Sequence, residues 1–238
     1  MKFDHGKFFT AYKGQFGPIS GQSQVDGIES MLTQLESDAD VNDERWAAYM
    51  FATVKHECDD KWQPIEEYGK GAGRPYGKAI TVKGADGQTY TNKYYGRGYV
   101  QLTWDYNYKN LSTALALGDA LYIHPEKALE PDTAYKVMSY GMRNGTFTGK
   151  KLSNYINGST CDYKNARRII NGLDKWDLIQ GYAQKLQTCF KNSRISEDAA
   201  ATGDTSATGD SGASEDSAAT MGAGVTGGAA GGAMGDGA

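Results

Sequence analysis

Cysteine and proline are scarce, long apolar runs are absent, and the last 43 of the 238 residues hold no aromatic, no lysine and no arginine. The three cysteines, Cys58, Cys161 and Cys189, are an odd number, with neither the count of a disulfide framework nor the paired spacing of a zinc site. Three reduced thiols are therefore expected, with no metal and no cofactor. No stretch approaches the roughly 20 consecutive apolar residues that cross a bilayer, and the opening residues lack the apolar run of a secretory signal. A chain without membrane insertion, beginning in a cytoplasm, is the expectation.

What is present divides at Ser196. All 25 basic residues precede it, against 22 of the 29 acidic ones, so residues 1–195 carry a net charge of +3 although the whole chain carries −4. A weakly basic body suits an anionic polymer and is far too weak a signal for nucleic acid. Residues 196–238 are mostly Gly, Ala, Ser, Thr and Asp, with Ala-Thr-Gly-Asp at 201–204 repeated at 207–210. Such a composition buries too little apolar area to offset the entropy of ordering, and predicts a flexible tail. The tail could also serve as an attachment segment to an assembly. The division is thus one domain over 1–195 and a tail over 196–238.

In the body, Trp46, Met50 and Val54 recur every four residues over 43–60, with Asn42 or Asp43 as N-cap, the pattern of an amphipathic helix. Residues 24–37 repeat the pattern through Val25, Ile28, Met31, Leu32 and Leu35. Residues 78–92 differ: Ile80-Thr81-Val82 and Thr89-Tyr90-Thr91 flank an Asp-Gly turn and predict a β-hairpin. Further helices are predicted at 108–117, 131–141, 163–170 and 175–190, the last two parted by Asn171-Gly172. The expected fold is mainly α with a small hairpin.

Glu57 lies eleven residues after Trp46, which on a helix returns it to within about 20° of that ring. A carboxyl on an apolar stripe is paired, or has its pKa raised, or faces a cleft; the last two together describe a general acid. The bland alternative is a buried carboxyl pinning a neighbouring loop. Glu66 and Glu67 follow Pro64, which ends any helix and puts both on a loop. Two carboxyls across a groove are what glycosidic hydrolysis requires, one protonating the leaving oxygen and the other activating water. Three other chemistries fail. His56-Glu57-Cys58-Asp59-Asp60 lacks the second His of a zinc protease, Cys58 reads as a small buried residue rather than a nucleophile, and Gly96-Arg97-Gly98 lacks the rest of a phosphate loop. Residues 94–108, rich in Tyr with Gln101, Thr103 and Asn107 interleaved, offer the rings, amides and hydroxyls that stack on and hydrogen-bond to sugars, lining one face if extended.

These blocks resemble glycoside hydrolase family 19, the chitinase and phage-endolysin family. The similarity rests on Phe51-Ala52-Thr53-Val54-Lys55-His56-Glu57, on Gln63-Pro64-Ile65-Glu66-Glu67-Tyr68-Gly69, on residues 95–108, and on Ala166-Arg167-Arg168-Ile169-Ile170-Asn171-Gly172. Four blocks in the right order span roughly 48–190 and leave out the tail. The resemblance implies a lysozyme-like helical fold with a deep cleft, and inverting cleavage of β-1,4 bonds next to N-acetylated sugars. Glu57 matches the general acid; the base falls on Glu66 or Glu67, and Thr103 matches the hydroxyl that holds the attacking water. Gln101, Asn107 and Asn171 match substrate contacts, and His56, Tyr95, Arg97 and Tyr106 lie inside the matching blocks as further ones. An Arg of plant chitinases has no counterpart, since Ile179 and Gln180 stand there. The long plant loops and their disulfides are missing too, which leaves room for peptidoglycan as well as chitin. The resulting expectation is a monomeric peptidoglycan-cutting lysin of a phage, held in the host cytoplasm until a pore releases it, or carried on the virion. A chitinase and a non-catalytic carbohydrate-binding or virion protein are the alternatives.

Overall fold

The computed structural model describes residues 1–196. The tail reading concerns residues that lie almost wholly outside that span. Among the described residues the chain is mainly helical with three two-stranded sheets.

The helix read around Trp46 is α3 (Glu44–Glu57), opened by the Asp43 side chain accepting from the Arg45 N–H. It is not amphipathic in place. Every residue from Ala47 to Lys55 is buried, so α3 is the central rod of the domain rather than a surface helix. Around it stand α1 (His5–Phe16), α2 (Gln22–Ser37), α6 (Pro131–Asn144) and α8 (Trp176–Ser193). Helix α8 turns Ile179, Ala183, Leu186 and Phe190 inward at helical spacing, and the Phe190 ring lies 5.0 Å from Phe3 and Phe8 and 5.1 Å from Phe51. Helix α1 was not legible in the sequence: two glycines weaken its signal, and Phe8 and Tyr12 are its only buried side chains.

The predicted hairpin is β2 (Ile80–Lys83) paired antiparallel with β3 (Thr89–Asn92), Val82 opposite Tyr90. The Asp119 carboxylate accepts from the turn's Ala85 N–H at 2.6 Å and docks it on the body. One pairing was not foreseen. Residues 65–66, expected on a loop, form β1 (Ile65–Glu66) against β4 (Arg97–Gly98), with Glu66 opposite Arg97. After β4 come α4 (Asp105–Ala114), the one-turn helix α5 (Ala120–Ile123), the ribbon β5 (Ile156–Asn157) with β6 (Thr160–Cys161), and α7 (Tyr163–Ala166), which runs on into a 3₁₀ turn over Arg167–Ile169.

Candidate active site

Helix α3 stops at Glu57, three residues short of the predicted end, because Asp59 and Asp60 take up left-handed backbone (φ 53° and 57°). The Asp60 N–H closes the helix end on the Lys55 carbonyl at 2.9 Å. Below it the buried Lys55 ammonium pairs with Asp60 and donates to the Tyr12 hydroxyl at 3.1 Å, while the Trp62 indole donates to the same Asp60 oxygen at 3.0 Å. Glu57 therefore stands at a fixed helix end. Its Oε1 accepts from Arg167 Nη1 at 2.7 Å, and Arg167, 3% exposed, is held in turn by its Nε on the Asp174 carbonyl at 2.8 Å.

Glu57 forms one side of a groove of about 430 Å³. Gln101, Thr103, Tyr106 and Asn107 line it from residues 101–107, and Asn171 lines it from a distant part of the chain. Five of the residues expected to touch substrate are thus gathered with the expected acid. They do not form one extended face. Gln101 and Trp104 are left-handed (φ 52° and 71°), so the chain turns through Thr103 and enters α4, on which Tyr106 and Asn107 ride. Gln101 donates to the Ile65 and Gly98 carbonyls at 3.1 and 3.2 Å, and Asn107 donates to the Thr103 carbonyl at 2.9 Å, which fixes both amides. Among the described residues the Thr103 hydroxyl has no hydrogen-bond partner and remains free for solvent or ligand. The groove also takes Tyr76 and Phe147, which lie outside every matching block, and Trp104 and Ile170, which lie inside the blocks with no role assigned. The Trp104 ring lies 5.5 Å from Tyr76, edge on, and 6.0 Å from Tyr106, stacked.

The two candidate bases face different surroundings, as neighbours leaving a strand do. Glu66 accepts from the Tyr95 hydroxyl at 2.5 Å and pairs with Lys70 at 2.8 Å and Arg97 at 3.7 Å. Lys70 first, then Tyr95, hold its carboxyl below the usual range. Glu67 accepts instead from the Tyr76 hydroxyl at 3.1 Å and from the Gly96 N–H at 3.2 Å, and Tyr76 is a groove residue. Burial, then the bond to Glu67, raises the Tyr76 pKa.

Tyr95 and Arg97, expected as substrate contacts, are only 7% and 6% exposed and lie outside the groove lining. The Arg97 guanidinium stacks 3.7 Å from the Tyr95 ring centroid and donates to the Lys93 carbonyl and the Tyr108 hydroxyl, so the pair backs Glu66 from inside. His56 is half-buried and likewise outside the lining. Cys58 is buried, its thiol pKa pushed up by desolvation, the opposite of what a nucleophile needs. Arg167 is the residue that sequence reasoning missed: it lay inside a matching block, but nothing local ties it to a carboxyl 110 positions away.

No protein-family model matches this chain, and no curated protein does. Among solved structures, a bacterial family 19 chitinase is similar over 78% of this chain and 94% of its own, at 21% identity and a TM-score of 0.49. Chitinase C from Streptomyces griseus HUT6037 is similar over 79% of this chain and 75% of its own, at 19% identity and a TM-score of 0.46.

Proposed function

We propose that the chain is a glycoside hydrolase that cuts β-1,4 bonds next to N-acetylated sugars in peptidoglycan, by an inverting acid/base mechanism, as a phage endolysin or virion-associated lysin. The observation that carries the reading is the meeting of Glu57 with Thr103, Asn107 and a wall of aromatic rings in one groove, with Glu67 tied to that groove through Tyr76. Glu57 is the general acid. Its Oε1 is engaged by Arg167, which leaves Oε2 to carry the proton that goes to the leaving oxygen as the bond from the sugar's anomeric carbon breaks. Glu67 is the base that takes a proton from the attacking water, and the Thr103 hydroxyl holds that water. Glu66 is given no part in the reaction, because Lys70 and Tyr95 already occupy its carboxylate. Gln101, Asn107, Tyr106 and Asn171 hold the sugars.

Peptidoglycan is favoured over chitin by the +3 charge of residues 1–195, which suits an anionic wall. Chitin oligomers are the second reading, because among the described residues Glu57 is the one charged side chain lining the groove, and neutral rings would fit it. The test is mass spectrometry of the products released from purified peptidoglycan and from N-acetylglucosamine oligomers, by the chain and by Glu57→Gln. New reducing ends from the wall, absent with the variant, support the lysin. Cleavage of oligomers alone moves the assignment to a chitinase, and cleavage of neither moves it to a binding or virion protein. Removal of residues 196–238 should leave the rate on purified walls nearly unchanged if the tail serves attachment rather than catalysis.

A further inference from the structure

Two tyrosines stand out on the surface of the described residues, Tyr106 at 52% exposed and Tyr68 at 72%. Tyr106 belongs to the groove. Tyr68 does not line it and has no part in the mechanism above. A ring so exposed ordinarily swings freely, yet this one is held at both ends of its hydroxyl. The Tyr68 hydroxyl donates to Asp59 Oδ2 at 2.9 Å and accepts from Lys61 Nζ at 3.0 Å. The Lys61 ammonium sits 5.0 Å from the ring centroid, at the hydroxyl end of the ring, so the ring faces are left uncovered by it.

The position of this tie matters. Asp59 and Lys61 lie two and four residues after Glu57, and Tyr68 lies one residue after Glu67. The contact therefore ties together the two segments of chain that follow the acid and the base. Asp59 holds the tie from the left-handed turn that ends α3. Packing holds little of a ring that is 72% exposed, and its faces are open to a flat ligand.

We propose that Tyr68 is a pre-oriented platform for a pyranose ring of the glycan strand outside the groove, a binding residue for long substrates that adds to the sites formed by Tyr106, Asn107 and Asn171. The proposal rests on the reading of the groove as a glycan-cleaving site. Its ligand is an N-acetylated β-1,4 glycan, whose axial C–H groups pack on aromatic faces.

The experiment compares the full chain with Tyr68→Ala and Tyr68→Phe, each also combined with Glu57→Gln for binding. Substrates are N-acetylglucosamine oligomers of increasing length and isolated peptidoglycan glycan strands. Tyr68→Ala should weaken binding of the longest oligomer or of the strands by about three- to tenfold and leave the shortest bound oligomer unaffected. The loss should appear in KM with kcat nearly unchanged, and Tyr68→Phe, which keeps the ring, should retain most of the affinity. An equal loss at every length, shared by Tyr68→Phe, would mean a structural staple and overturn the platform. Cleavage by the wild-type chain that Tyr68→Ala leaves intact at every length overturns the platform and leaves the glycosidase reading standing. Failure of the wild-type chain to bind or cleave any of these glycans overturns both.

Discussion

Three glutamates within eleven residues have three different fates, and their neighbours decide which. Glu57 is paired at one oxygen, Glu67 meets a tyrosine and a backbone N–H, and Glu66 is enclosed by Lys70, Tyr95 and Arg97. Removal of a general acid or base typically costs 10²–10⁴ in rate. Glu57→Gln and Glu67→Gln should each reduce reducing-end release by about that factor, whereas Glu66→Gln should stay within about threefold of wild type. A loss with Glu66→Gln as large as with Glu67→Gln would reverse the assignment of the base. Glu66 has a separate consequence for stability. Its pKa is lower folded than unfolded, so its contribution is complete above the ordinary carboxylate pKa and disappears as pH falls through the lowered folded value. Denaturant midpoints of wild type and Glu66→Gln should thus differ near neutrality and converge in acid. The group is partly exposed, so the difference should be small.

At the scale of elements, the site depends on ends and turns rather than on helix bodies. Arg167 reaches Glu57 from the 3₁₀ turn after α7, with 3% of its side chain exposed against 17% for the carboxylate. Removing Arg167 takes away its hydrogen bonds to Glu57 and to the Asp174 carbonyl, so Arg167→Met should cost about 1.5–3 kcal/mol in chemical denaturation and lower activity through a displaced Glu57. The turn beyond α3 leans on α2 at Gly27, where an added Cβ would fall 2.2 Å from the Trp62 carbonyl oxygen. No side-chain rotation relieves a clash with backbone. Gly27→Ala should destabilise the domain by about 1–3 kcal/mol, seen as a lower Tm, and an unchanged Tm would show that the turn moves aside freely. The helices themselves were readable because apolar spacing of three and four survives in α2, α3, α6 and α8. The β1–β4 pair was not, since two-residue strands carry no period and their pairing joins residues some thirty positions apart.

For the molecule as a whole, burial sorts the three thiols. Cys58 and Cys189 are buried with pKa values raised by desolvation, that of Cys189 to about 12, and Cys161 is exposed on β6. A thiol reagent should modify one cysteine quickly in the folded protein and the other two only on unfolding. Fast modification of two or three would mean that the core around α3 and α8 opens readily.

Sequence alone determined the features that depend on near neighbours: the helical period, the Asp-Gly hairpin, the composition break at Ser196, and the placing of Glu57 on the helix that proves to be the central one. These follow from propensity and patterning within a few turns of chain. The tertiary structure decided what depends on distant partners: that α3 is buried on every side, that Arg167 grips Glu57, and that Tyr95 and Arg97 lie behind Glu66 rather than in the groove. Tyr76 at Glu67 is closer in sequence, but its contact needs the loop between them to fold back. Long-range contacts leave no local signature, because a side chain's chemistry is fixed by what the folded chain puts within about 4 Å of it.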